Sequence, residues 1–321
     1  MDPFLFLEQI NASNFEAEAL ATFERQYNSV SVYRQYTDLL GIQHPQSLAE
    51  IPFLPIDFFK NQKVALHNTP VIKTFQSSGT TQQNRSQHHL TDLRWYDAAL
   101  TLGFERVFGQ VSDYVFIALL PSNLENGDSS LIYMVDQLIQ KSNSPLSGYY
   151  LGQVQEVAFI YEQALALGKK PFVFGVSYAL LDLMEAGSKL PQAFILETGG
   201  MKGRRQELTK IALHQLLKDG FGVAQILSEY GMTELLSQAY CTFKQNFQCP
   251  PWMQIRIRDA YDPFTEVPFG QKGGINVIDL ANQNSCAFIQ TDDLGRLVPD
   301  GFLLEGRMTA ADIRGCNLLL D

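Results

Sequence analysis

The chain has 321 residues, 45% hydrophobic, 12% aromatic and 18% charged, with a formal net charge of −10. That is a globular composition, with enough apolar mass for one large core or two smaller ones. The acidic balance and the lack of any Lys/Arg-rich run exclude a general nucleic-acid surface. No uninterrupted apolar run approaches the ~18 residues of a membrane span, so none is expected. The opening Met1-Asp2-Pro3-Phe4-Leu5-Phe6-Leu7-Glu8 has too short an apolar run for a secretory signal. Cys241, Cys249, Cys286 and Cys316 show no CxxC spacing, which argues against a zinc site or a disulfide framework and for a cytoplasmic protein with free thiols.

In chain order, residues 4–40 read as helices, with Phe15, Ala19, Leu20 and Phe23 at helical spacing. Prolines in the segment 51–59 forbid a regular helix and predict an apolar connector. A helix is expected over Leu93–Phe108, a buried strand over Tyr114–Leu120 and a helix over Ser129–Ile139. The alternation then repeats: a helix at Val157–Leu167, a strand at Phe172–Val176 and a helix at Ser177–Met184. A strand at Ala193–Thr198, a helix at Arg205–Leu217 and a strand at Val223–Leu227 complete it. Alternating strands and helices imply a parallel sheet, whose ligands gather at the carboxyl ends of the strands. From about residue 245 helical periodicity gives way to short strand-like runs such as 254–258 and 274–278. The expected organisation is an α/β core of parallel sheets flanked by helices over 1–244, then a smaller β-rich subdomain over 245–321.

The segment Ser77-Ser78-Gly79-Thr80-Thr81 places four hydroxyls and one glycine in five positions after an apolar run. Backbone N–H groups and short hydroxyls on such a turn can surround phosphate oxygens. Further strings follow: Ser228-Glu229-Tyr230-Gly231-Met232-Thr233-Glu234, then Thr291-Asp292-Asp293-Leu294-Gly295-Arg296, then Glu305-Gly306-Arg307. Gly199 and Gly200 lie at the end of an expected strand.

In residue type and order these strings resemble the adenylate-forming superfamily of acyl-CoA synthetases, luciferases and peptide-synthetase adenylation domains. The resemblance implies ATP and Mg²⁺ as cofactors and a carboxylate as substrate. It places Ser77, Ser78, Gly79, Thr80 and Thr81 at the β- and γ-phosphates and stacks Tyr230, followed by Gly231 and Met232, on adenine. Thr233 falls at the α-phosphate, Glu234 at the metal, Asp293 at the ribose, and Gly199, Gly200 and Arg307 around the nucleotide. Joining a carboxylate to AMP brings two anions together, so positioning and charge neutralisation dominate. Glu197 either caps a turn or faces the site. His88 and His89 fit an exposed loop pair as well as a catalytic one and receive no role. Phe172, Phe174 and Tyr178 either line an acyl pocket or belong to the core.

Two departures narrow the resemblance. The superfamily's Gly-x-Pro-Lys-Gly continuation is Gln82-Gln83-Asn84-Arg85-Ser86 in this chain, which leaves Arg85 as the cation. The superfamily's mobile domain of ~100 residues has no counterpart after Arg307, so a standard acyl-CoA synthetase cycle is not expected. Both features, with Thr198-Gly199-Gly200-Met201-Lys202 and the terminal Arg314-Gly315-Cys316, are similar to the LuxE-type acyl-protein synthetases. That family implies a fatty acid substrate, Cys316 as acyl acceptor and an acyl-CoA-reductase-like partner. The alternatives are acyl transfer to CoA or a carrier-protein thiol, or a nucleotide-binding subunit without chemistry.

Overall fold

A computed structural model describes residues 1–77, 85–121, 127–199, 208–242 and 246–308. The chain divides into two compact units: Met1–Leu102 with Gly231–Ala239 and Asn246–Asp321, and Gly103–Tyr230 with Tyr240–Gln245.

The second of these units holds a parallel sheet. Its strands run side by side as Gly148–Tyr149, Tyr114–Leu119, Lys170–Gly175, Phe194–Glu197 and Leu227–Tyr230. Tyr114–Leu119 is buried along its whole length, as the unbroken apolar run of a parallel strand requires. Helices Ser130–Ser142, Val154–Ala166, Ser177–Glu185 and Lys210–Phe221 connect the strands. The Ser129 hydroxyl caps the first of these helices and the Thr209 hydroxyl the last, each accepting a backbone N–H at 3.3–3.4 Å. Phe172 is fully buried among aromatic rings and stacks on Phe194 at 5.9 Å. Phe104, Phe108 and Phe174 approach it within 5.3 Å. Phe172 and Phe174 are therefore core residues, which decides between the two readings of these rings.

Two element starts differ most from expectation. The last helix begins at Lys210 rather than Arg205, and the following strand begins at Leu227 rather than Val223. Gly222 ends that helix at φ 77°, and the Val223 N–H turns back to the Lys218 carbonyl at 3.2 Å. Val223 thus belongs to the helix cap, and the strand forms four residues later, carrying Ser228, Glu229 and Tyr230.

The first unit combines helices Pro3–Gln9, Phe15–Ser29 and Ser31–Leu39 with an antiparallel sheet. In that sheet Met253–Arg258, Gly273–Asp279, Phe288–Val298 and Gly301–Arg307 pair in succession, and Phe247–Gln248 pairs with the last of them. Leu54–Pro55, within the expected connector, adds a short parallel pairing to Ile289–Gln290. Tyr33 stacks on Phe288 at 6.0 Å, which seats the helices on the sheet through apolar burial. Gln26 is fully buried, donates to the Asn282 carbonyl at 2.7 Å and accepts the Ala287 N–H at 2.9 Å. Its amide supplies partners to a loop whose backbone would otherwise be buried unpaired.

Candidate active site

Within the first unit, Lys73–Gln76 and Gln87–Leu90 form an antiparallel hairpin around the hydroxyl-rich loop. Ser77 closes its neck: its N–H donates to the Ser86 carbonyl at 3.1 Å, and its hydroxyl accepts the Ser86 N–H at 3.0 Å. Arg85 borders this neck. Ser78, Gly79, Thr80 and Thr81 lie outside the described residues, as do Gly200 and Cys316.

The hairpin places His88 and His89 on a strand rather than on an exposed loop, because strand pairing alternates their side chains. His88 is fully buried, with Nδ1 2.9 Å from the Thr233 carbonyl and Nε2 3.2 Å from Asn282 Oδ1. Asn282 Nδ2 in turn donates to the Glu234 carbonyl at 2.8 Å. Burial pushes the His88 pKa down to about 4. His89 is half-buried, its Nδ1 2.9 Å from the Thr74 hydroxyl. The adjacency of two histidines to the loop was visible in sequence; the partners 145 and 194 positions away were not.

A second anchor holds the other side of the Tyr-Gly-Met-Thr-Glu string. The carboxylate of Asp279, fully buried, accepts the Leu236 and Ser237 N–H groups, the Ser237 hydroxyl and the Ala281 N–H at 2.6–3.1 Å. Burial raises its pKa, and these four hydrogen bonds oppose that rise. Trp252 Nε1 donates to the Ser237 hydroxyl at 2.9 Å.

Between these anchors the motif residues converge. Glu234 is buried; burial raises its pKa, while a hydrogen bond to Ser86 and the charges of Arg307 and Lys60 favour its ionised form. Arg307 Nε donates to Asp293 Oδ1 at 3.0 Å. Asp293 lies in the strand Phe288–Val298 at a register shift, not in a turn as its Asp-Leu-Gly context suggests. The Asp292 carboxyl is raised chiefly by desolvation and by Asp57, with Lys60 opposing. Lys60 Nζ itself pairs with Asp57 at 2.6 Å. Ser77, Ser86, Glu234, Asp293 and Arg307, from four separate strings, are thus tied into one hydrogen-bonded and electrostatic neighbourhood.

Among the described residues no group of three or more His, Cys, Asp or Glu side chains could hold a metal ion. A lone desolvated carboxylate fits a cation bound largely through phosphate oxygens and water, as Mg²⁺ often is. Glu234 is such a carboxylate.

The first unit also carries Gly231 and Met232, and the second unit carries Tyr230 and Gly199. Tyr230, at the end of its strand, is buried. Gly199 takes φ 76°, a region that disfavours a side chain, and a Cβ there would meet Val176 Cγ1 at 3.3 Å. Glu197 is buried and accepts the Ser177 hydroxyl at 2.5 Å, with His214 Nε2 at 3.4 Å from its other oxygen. These partners hold its pKa down against the opposing effect of burial. Glu197 therefore anchors the strand end rather than capping a turn. Glu229 is half-buried, yet its Oε2 is shut from solvent without a hydrogen-bond partner among the described residues, and burial raises its pKa to about 7.

Burial raises the pKa of Cys241, and that of Cys249 and Cys286 to about 12, so none of the three is poised as a thiolate. No helix among the described residues is long and apolar enough to cross a membrane.

The fold is that of the adenylate-forming enzymes. It matches a 2-hydroxyisobutyryl-CoA ligase in complex with 2-HIB-AMP at a TM-score of 0.65 and 13% identity, over 93% of this chain and 69% of that one. It matches ATP-bound MatB from Rhodopseudomonas palustris at a TM-score of 0.55 and 17% identity, over 74% of this chain and 48% of that one. The match thus spans about half the length of MatB. No curated protein matches in sequence. Residues 165–321 match the family model described as acyl-protein synthetase, LuxE. Over that stretch, just under half of its length, the chain is similar to that family.

Proposed function

We propose that the protein activates a fatty carboxylate with ATP and transfers the acyl group to Cys316, for delivery to an acyl-CoA-reductase-like partner. The observation that carries this reading is the Arg307–Asp293 hydrogen bond of 3.0 Å beside buried Glu234, which gathers three motif strings at the neck of the hydroxyl loop. In the first half-reaction a carboxylate oxygen bonds to the α-phosphorus, the α–β bridging bond breaks and pyrophosphate leaves. Thr233 and Arg307 meet the charge around the α-phosphate, Ser77, Ser78, Gly79, Thr80, Thr81 and Arg85 grip the departing phosphates, and Asp293 takes the ribose. Tyr230, with Gly231 and Met232, stacks on adenine, and Gly199 with Gly200 lets the backbone approach the nucleotide. Glu234 would hold Mg²⁺, which supplies charge neutralisation at the phosphates. In the second half-reaction the Cys316 thiolate attacks the acyl carbonyl, a C–S bond forms, the bond from the acyl carbon to the phosphate oxygen breaks, and AMP leaves with that oxygen and its electron pair. The match of residues 165–321 to the acyl-protein synthetase family model supports the acyl-protein product.

The test is incubation with ATP, Mg²⁺ and labelled fatty acids, followed by hydroxylamine treatment. Hydroxylamine-sensitive label on the wild type, absent from Cys316→Ser, is the expected result. Acyl-AMP without labelled protein would move the acceptor to CoA or a carrier thiol. An absence of pyrophosphate release across a broad carboxylate panel would leave a nucleotide-binding subunit without chemistry.

A further inference from the structure

We propose that His88 is a positioning residue for adenylation: its Nδ1–H, donated to the Thr233 carbonyl, sets the Thr233–Glu234 segment against the hairpin that carries the hydroxyl loop. The inference rests on the function proposed above, in which Thr233 meets the α-phosphate and Glu234 the metal. His88 lies in the hairpin arm opposite Phe75, whose strand leads into the loop. Its ring is fixed in place by complete burial and by an edge-on contact with Phe59 at 5.7 Å between ring centres. Its two nitrogens reach two different parts of the unit, the Thr233 carbonyl at 2.9 Å and Asn282 Oδ1 at 3.2 Å.

Hydrogen-bond inventory assigns the proton. The Thr233 carbonyl can only accept, so the nitrogen 2.9 Å away must donate. Asn282 commits its amide nitrogen to the Glu234 carbonyl at 2.8 Å, which turns its oxygen toward Nε2. Asn282 Oδ1 can likewise only accept, so a neutral imidazole, with one proton, serves one of the two contacts, and we place that proton on the shorter one, to Thr233. Asn282, in turn, is held by Gln26 through its own carbonyl at 2.7 Å. Thr233 and Glu234 are thus located by carbonyl contacts from His88 and Asn282. A loop that grips one end of a triphosphate and a segment that meets its middle must keep a fixed separation, because misplacement by about 1 Å can cost about 10²-fold in rate. His88 supplies a direct side-chain bond between the two.

Two conservative substitutions separate the bonds. His88→Asn puts an amide N–H near the Nδ1 position and keeps the donor to Thr233. His88→Gln puts it near the Nε2 position and faces Asn282 instead. In ATP–pyrophosphate exchange, His88→Asn should keep kcat within about threefold of wild type, whereas His88→Gln should lose ten- to a hundredfold in kcat with a smaller change in KM for ATP. Equal losses in both variants that follow their loss of Tm would reduce His88 to a packing residue and overturn the inference. Long-range ¹H–¹⁵N spectra of the wild-type imidazoles, assigned by the resonance missing from His88→Asn, should show the Nδ1–H tautomer. An Nε2–H tautomer would overturn the inference without reference to activity. If the wild type releases no pyrophosphate with any carboxylate, the proposed function fails by itself. His88 is then judged by that spectrum and by MgATP affinity, which His88→Gln should lower at least fivefold and His88→Asn should leave unchanged.

Discussion

Arg307 donates from Nε to Asp293 Oδ1 at 3.0 Å, across neighbouring strands whose Cα atoms are paired in register. Arg307 is 78% exposed along its side chain and Asp293 only 9%, so one end of the bond is solvated. Such a pair contributes less than about 1 kcal/mol to stability. On the proposed function, its value is in holding two groups that would meet the nucleotide rather than in the fold. Asp293→Ala and Arg307→Ala should each leave Tm within a few degrees. Each should lower kcat/KM for ATP in pyrophosphate exchange by roughly 10- to 100-fold, the worth of a charged hydrogen bond. A double variant no worse than the poorer single would show that the two act as a unit. Large Tm losses with proportionate activity would sink the assignment.

Asp279 sits at the opposite extreme. Asp279→Ala removes the acceptor of three backbone N–H groups and one hydroxyl inside the core. A loss of about 3 kcal/mol or more is expected in urea unfolding, because each orphaned buried donor costs about 1–3 kcal/mol. Asp279→Asn, which keeps one acceptor oxygen, should lose less. Similar small losses for both would show that water replaces the carboxylate.

Glu229, whose buried Oε2 has no hydrogen-bond partner among the described residues, gives stability an uncommon pH dependence. Its folded pKa of about 7 lies above the ordinary Glu value, so the folded state binds a proton that the unfolded chain has released. Its contribution is fully present below about pH 4.5 and is lost as pH rises toward 7, amounting to at most about 3 kcal/mol. Glu229→Gln should flatten that part of the stability–pH curve and be more stable than wild type at pH 8. Parallel curves for the two proteins would show that the carboxyl is paired or solvated.

Phe172 tests the division between core and pocket. Phe172→Ala should cost about 3–5 kcal/mol, the usual loss for a buried ring. It should leave the relative rates with short and long fatty acids unchanged. A shift in chain-length preference at unchanged stability would return Phe172 to the acyl pocket.

Much of the fold was legible because periodicity reports burial locally. The unbroken run Tyr114–Leu120 and the alternation of strands and helices after it could arise only from a covered parallel sheet. The boundary error at Val223 has an equally local cause, the turn of its N–H back onto Lys218. The candidate ligand residues were legible in another way, through strings whose residue types serve phosphate and ribose. Asp293 was legible as a candidate ribose ligand, but Asp-Leu-Gly has turn composition, and its place in a strand comes from pairing with Arg307 fourteen positions on.

The sequence by itself determined the type of chain: an alternating α/β region, an antiparallel end, and a hydroxyl loop and acidic strings that resemble those of adenylate-forming enzymes. Only the tertiary structure decided that His88 is a buried hub, that Asp279 anchors the segment after Glu234, and that Glu229 carries an orphaned carboxyl oxygen. The physical reason is range. Side-chain types and their spacing are written along the chain, whereas hydrogen-bond partners and desolvation come from residues as far as 261 positions apart that meet only after folding.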